Sequence, residues 1–114
     1  MRKFRIPSLI HQMWLDKKDP SSKKFPSQNE ETIESMIVNN PNMEYHLWNV
    51  NEVRQLLSND EELKKYLPVF EKIQPWISKC DFARMCVVYA YGGIYTDLDI
   101  YCHKSFENVL DFLK

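Results

Sequence analysis

Two aspartates one residue apart, Asp97 and Asp99, sit in the stretch "YGGIYTDLDIYCHKS", residues 91 to 105, among residues that favour strands. In an extended strand alternate side chains share a face. Ile94, Thr96, Leu98 and Ile100 would then form one largely apolar face, and Tyr95, Asp97, Asp99 and Tyr101 the other. Two carboxylates on one face repel each other and resist desolvation unless a cation compensates them. The cation suited to hard oxygen ligands is a divalent ion such as Mn²⁺ or Mg²⁺. Two carboxylates do not fill an octahedral shell, and such shells are commonly completed by phosphate oxygens and water. The pair therefore points to a diphosphate-bearing ligand. The bland alternative is an edge strand whose aspartates face water and discourage aggregation.

The elements around the pair must hold it in place. "PWISKCDFARMCVVYAYGG" predicts a helix from about Pro75 to a stop at Gly92–Gly93, its later turns (Phe82, Met85, Val87, Val88, Tyr89) apolar almost all round, as in a buried helix. Asp81 and Arg84 stand at i and i+3 on one face of it, either as an ordinary surface ion pair or as part of a site.

Upstream, "RIPSLIHQMWL", ending at Leu15, alternates with apolar residues on both faces, which predicts a strand buried on two sides. A polar, proline-bearing loop follows. Ser27 with Glu30 predicts a capping box and a helix through about Val38, stopped by Asn39, Asn40 and Pro41. A second strand is expected from Met43 to Asn49, then helical pieces at Glu52–Ser58 and Glu61–Leu67, with Asn59 or Asp60 as cap and Pro68 as stop. This order predicts an α/β fold with a mostly parallel sheet, whose ligands collect at the carboxyl ends of the strands.

The remaining features exclude more than they assert. A chain of 114 residues with 44% hydrophobic and 27% charged residues is one globular domain, residues 1–114. A net charge of −1 with no like-charge block argues against nucleic acid as partner. Arg2, Lys3 and Arg5 precede only "IPSLI", too short for a signal-peptide core or a membrane span, so the expectation is a cytoplasmic protein or a piece of something longer. Cys80, Cys86, Cys102, His11, His46 and His103 include no C-x-x-C pair, which argues against zinc and for reduced packing thiols. A phosphohydrolase of the haloacid-dehalogenase type also uses D-x-D, but near the start of its domain, and here the motif lies near the end.

"PSLIHQMW" and "SKCDFARMCVVYAYGGIYTDLDI" resemble the corresponding blocks of the D-x-D glycosyltransferases, a group that includes initiating mannosyltransferases, inositol-phosphoceramide mannosyltransferases and capsular-polysaccharide transferases, with a related core in the large clostridial toxins. The resemblance covers most of residues 6–101. It implies a GT-A-like fold, a nucleotide-sugar donor (UDP-glucose, another UDP-sugar or GDP-mannose), a Mn²⁺ or Mg²⁺ cofactor and retaining transfer to a glycan, lipid or protein acceptor. Carried over by position, Trp14 resembles the residue that stacks on the donor base, and His11 belongs to the same block. Asn51 resembles a residue near the nucleotide, Asp81 and Arg84 the pair that holds sugar hydroxyls and donor. Tyr95 matches a neighbour of the nucleotide, Asp97 a residue facing ribose and sugar, and Asp99 the direct metal ligand. Cys80 stands where such enzymes often carry Ser or Ala. Only 15 residues follow Asp99, so the resemblance implies a donor-binding half, truncated or minimal, active or serving only to bind nucleotide sugar. An open sheet edge would then favour a homo-oligomer.

Overall fold

A computed structural model describes residues 6–107, 109 and 110. Its sheet has three parallel strands in the order β2-β1-β3: β1 is Leu9–Met13, β2 is Glu44–Trp48 and β3 is Ile94–Tyr95. β1 lies in the middle, with Leu9 opposite Glu44 and Met13 opposite Trp48 on one side, and Ile10 opposite Ile94 and His11 opposite Tyr95 on the other. The helices are α1 (Glu30–Val38), α2 (Val50–Asn59), α3 (Leu67–Lys72) and α4 (Trp76–Tyr91), with short 3₁₀ turns at Ser27–Asn29 and Lys64–Tyr66. This is the α/β, parallel arrangement that the order of elements predicts.

The sheet separates two apolar clusters, as a strand buried on both faces requires. On one side Met13 and Trp48 pack with Val53 and Leu57 of α2, Phe70 of α3, and Ala83, Cys86 and Val87 of α4. On the other, Ile10 packs with Met36 of α1, Met43, Cys102 and Leu110. Lys79, buried in α4, keeps its ammonium 4.9 Å from the Phe70 ring and 5.1 Å from the Trp76 ring, so aromatic faces replace part of its hydration.

Four local expectations change. The capping box forms at the start of α2, where the Asn49 side chain accepts from the Glu52 backbone N–H and Glu52 returns a bond to the Asn49 N–H. At Ser27–Glu30 the chain makes a 3₁₀ turn instead, and α1 begins after Asn29 with no side-chain cap. Pro68 starts a helix rather than stopping one: it lies in the first turn of α3, where its missing N–H costs nothing. α4 is not buried all round, for Met85 and Tyr89 are 68% and 66% exposed. It meets the sheet through Ala83, Cys86 and Val87, which turns the Ile77–Asp81–Met85–Tyr89 row outward.

The fourth correction bears on the aspartates. β3 ends at Tyr95, so neither Asp97 nor Asp99 lies in a strand. The chain leaves the sheet after the Thr96 N–H donates to the His11 carbonyl, and then turns, with the Ile100 N–H donating to the Asp97 carbonyl. Leu98 points inward, while Asp97, Asp99 and also Ile100 are exposed, so the apolar face expected through Ile100 is cut short.

The double glycine makes this geometry possible. Gly92 and Gly93 have φ of 67° and 88°, values that side chains with a Cβ resist. A Cβ on Gly93 would stand 2.7 Å from the Leu9 carbonyl oxygen. That close approach is what brings α4 back onto β1 as β3.

Candidate functional site

At the carboxyl ends of β1 and β3 lies an open cleft of about 460 Å³, lined by Trp14, Asn29, Trp76, Tyr95, Asp97 and Asp99 among others. Trp14 also walls a second cleft of about 520 Å³, formed with Asp16, Lys24, Phe25, Ser27 and Glu30. The carboxyl edge of a parallel sheet collects such side chains because each strand hands over there to a loop.

Tyr95, the last residue of β3, forms one wall. Burial, and secondarily the nearby Asp97 carboxylate, push its hydroxyl up to about 12, so it stays protonated and neutral. The Arg84 guanidinium lies 5.1 Å from the centre of its ring. Arg84 is held on both sides: Nη2 is 2.7 Å from Asp81 Oδ1, one turn earlier on α4, and Nη1 is 3.8 Å from Asp97 Oδ1. The ion pair expected on the helix surface therefore exists, and it reaches the D-x-D turn. Asp99 also opens onto the cleft, and both D-x-D carboxylates are exposed.

These donors suit a hard divalent ion as a partial set. Two carboxylates one residue apart line the cleft, and among the described residues no cluster of three or more His, Cys, Asp or Glu would complete a protein-only shell. The remaining ligands would have to come from the bound molecule and water. The indole N–H of Trp14 adds an unspent donor, for it is buried with no acceptor among the described residues. A buried polar group left unpaired is uncommon and costly, so a site that a ligand completes is its natural setting.

The structure thus brings Trp14, Tyr95, Asp97 and Asp99 to one cleft, with Arg84 and Asp81 at its edge. His11 lies elsewhere. It is 3% exposed, its Nε2 bonds the Gly92 carbonyl at 2.9 Å, and its Nδ1 accepts from Trp48 Nε1 at 3.2 Å. That pair of partners fixes the tautomer with the proton on Nε2, and burial lowers its pKa. Asn51 is exposed at the start of α2, its backbone N–H donating to the Pro20 carbonyl, and it lines neither cleft around Trp14.

Sequence reasoning passed over Gln12, Asn29 and Trp76. Asn29 and Trp76 come from distant segments whose approach is not written in any local pattern. Gln12 carried a usable signal, a polar side chain in the middle of a strand expected to be buried on both faces.

Residues 26–113 match the family model described as a glycosyltransferase sugar-binding region containing a DXD motif. The chain is 32% identical over 108 residues to an uncharacterized glycosyltransferase of Acanthamoeba polyphaga mimivirus, covering 95% of this chain and 40% of the relative. It is 31% identical over 109 residues to inositol phosphoceramide mannosyltransferase 1 of Schizosaccharomyces pombe, covering 93% and 32%. A mannosyl phosphorylinositol ceramide synthase of Saccharomyces cerevisiae is 27% identical over 107 residues, covering 94% and 26%. The chain therefore spans between about a quarter and two fifths of the length of these relatives. No solved structure matches it.

Proposed function

Because the chain belongs to the family of glycosyltransferases defined by the DXD-containing sugar-binding region, we propose that it binds a nucleotide sugar in the Trp14–Asp99 cleft and serves transfer of the sugar with retention. The observation that carries this reading is the convergence of Trp14, Tyr95, Asp97 and Asp99 on one cleft at the carboxyl edge of a GT-A-like parallel sheet.

Each side chain has a task suited to its chemistry. Trp14, which lines the cleft, offers an aromatic face for the base. Asp99, with Asp97, would hold Mn²⁺ or Mg²⁺, which when bound neutralises charge on a departing diphosphate. Arg84 stands beside Asp97 and presents a fork that matches phosphate or sugar oxygens. Asp81 accepts from Arg84 and has one carboxylate oxygen left for a sugar hydroxyl. Neutral Tyr95 narrows the cleft without adding negative charge beside the diphosphate. The relatives' names include mannosyltransferases, which makes a mannose donor the first to test. The acceptor would be a glycan, lipid or protein.

A thermal-shift panel of GDP-mannose, UDP-glucose, UDP-galactose and UDP-N-acetylglucosamine, with and without Mn²⁺, tests the reading. A ligand that binds only the folded chain raises its melting temperature. One donor should do so in a Mn²⁺-dependent way, and a donor-hydrolysis assay then separates turnover from binding alone. No shift with any donor would overturn the proposal.

A further inference from the structure

We propose that Gln12 is a positioning residue for the D-x-D turn, setting the direction of the two carboxylates from inside the sheet; this rests on the nucleotide-sugar reading above. β3 ends at Tyr95, so the segment bearing Asp97 and Asp99 has no strand ladder to hold it. Gln12, on the central strand and 0% exposed, supplies the missing bonds. Its Nε2 donates to Thr96 Oγ1 at 2.9 Å and to the Asp97 carbonyl at 3.0 Å, and its Oε1 accepts from the Tyr45 hydroxyl at 2.7 Å.

The chemistry fixes this orientation of the amide. The Asp97 carbonyl can only accept, so the nitrogen of Gln12 must face it, and the oxygen then faces Tyr45. Both hydrogens of the amide are spent. The Asp97 carbonyl also accepts from the Ile100 N–H at 3.3 Å. Gln12 therefore anchors the oxygen around which the turn carrying both aspartates closes. From the other side, the Thr32 hydroxyl of α1 donates to the Leu98 carbonyl. Two side chains from two elements thus hold three consecutive residues, 96 to 98, between them.

No other side chain does the work of Gln12 unchanged. A glutamate cannot donate to the Asp97 carbonyl. A methionine of similar length leaves that carbonyl, the Thr96 hydroxyl and the Tyr45 hydroxyl each without the bond Gln12 makes, in a part-buried site. The carboxylates would remain on the chain, but their carbonyl anchor would be gone. Groups that orient metal ligands without touching the metal commonly change metal affinity by 10–100-fold when removed.

The test uses the chain with Mn²⁺ and UDP, and separately GDP, measuring free Mn²⁺ by electron paramagnetic resonance, beside urea denaturation. Gln12→Met and the milder Thr96→Val are compared with Leu57→Ala, a cavity in the opposite core chosen for a similar loss of stability. Gln12→Met should weaken nucleotide-dependent Mn²⁺ binding about tenfold or more, Thr96→Val less, and Leu57→Ala not at all. Affinity unchanged in folded Gln12→Met, or reduced equally in Leu57→Ala, would overturn the positioning role and leave the parent reading intact. A wild-type chain that holds Mn²⁺ with neither nucleotide would overturn the parent reading, and this inference with it.

Discussion

His11 and Asp97 lie on neighbouring strands' paths, within a few residues of the same β1–β3 pairing, and both are residue types that do chemistry. The fold uses them in opposite ways. His11 is buried with both ring nitrogens spent, one on Gly92 and one on Trp48. Asp97 and Asp99 are exposed, and among the described residues their one ion contact is the 3.8 Å approach of Arg84 to Asp97. The difference teaches that residue type alone does not mark a site. Hydrogen-bonding capacity spent inside the fold is structure, and capacity left facing a cleft is available to a ligand. Trp48 and Trp14 differ in another way: the first donates to His11, while the second keeps its indole N–H buried with no acceptor among the described residues.

The comparison can be broken most directly at Asp99. Asp99→Asn should remove metal-dependent nucleotide binding, a loss of at least 100-fold or about 2.7 kcal/mol, while stability stays within about 0.5 kcal/mol, as for exposed positions generally. Calorimetric titration of UDP and GDP with and without Mn²⁺ reads the first part and urea denaturation the second. Equal affinity with and without the metal in the wild-type chain would end the metal reading.

Gly93→Ala attacks the opposite region. Its Cβ would press on the Leu9 backbone at a φ of 88°. Left-handed strain alone costs about 1–2 kcal/mol, and the backbone contact adds to it, so the expected total is about 2–3 kcal/mol. A denaturation midpoint near that of the wild type would mean that the β1–β3 approach gives way more easily than the geometry implies.

His11→Asn comes next, with about 1–3 kcal/mol lost as the Gly92 and Trp48 partners lose theirs, and with nucleotide affinity unchanged. The wild-type chain should also show a pH signature here. Burial lowers the His11 pKa below its unfolded value of about 6.5. Below that pH the unfolded chain takes up a proton that the folded chain refuses, so stability is full above about pH 6.5 and falls as the pH drops. The slope from this group is at most about 1.4 kcal/mol per pH unit, and the matched difference between wild type and His11→Asn at pH 7.5 and pH 5.5 isolates it. A parallel pair of curves would show that His11 is not the group responsible.

Asp81→Ala comes last. Asp81 and Arg84 are both substantially exposed, so their pairing contributes within about 1 kcal/mol. If the pair serves the sugar, nucleotide-sugar affinity should fall while free UDP or GDP still binds. Unchanged behaviour toward every donor would return the pair to an ordinary surface contact.

Much of α4 and its exit is legible in the sequence. Pro75 and Gly92–Gly93 bracket it because one lacks an N–H and the others lack a Cβ, and both effects are local. The outward row through Met85 and Tyr89 was not legible, since an apolar residue carries no record of whether another element will cover it. The capping box shows a similar limit: Ser27–Glu30 and Asn49–Glu52 both satisfy the spacing, and only the second forms. At Ser27 the backbone enters a 3₁₀ turn instead, so the reciprocal bonds have no frame.

By itself the sequence determined that Asp97 and Asp99 are two oxygen donors one residue apart, that a glycine pair precedes them, and that the elements alternate in an α/β order. Those facts depend on side-chain chemistry and short-range sterics, which the chain carries with it. Only the tertiary structure decided that β3 stops at Tyr95, that the aspartates stand on a turn held by Gln12 and Thr32, and that Arg84 reaches Asp97 while His11 turns away to Gly92. The reason is physical. A strand extends only as far as a partner's backbone stays within hydrogen-bonding reach, and that partner, β1, lies some eighty residues away in the chain.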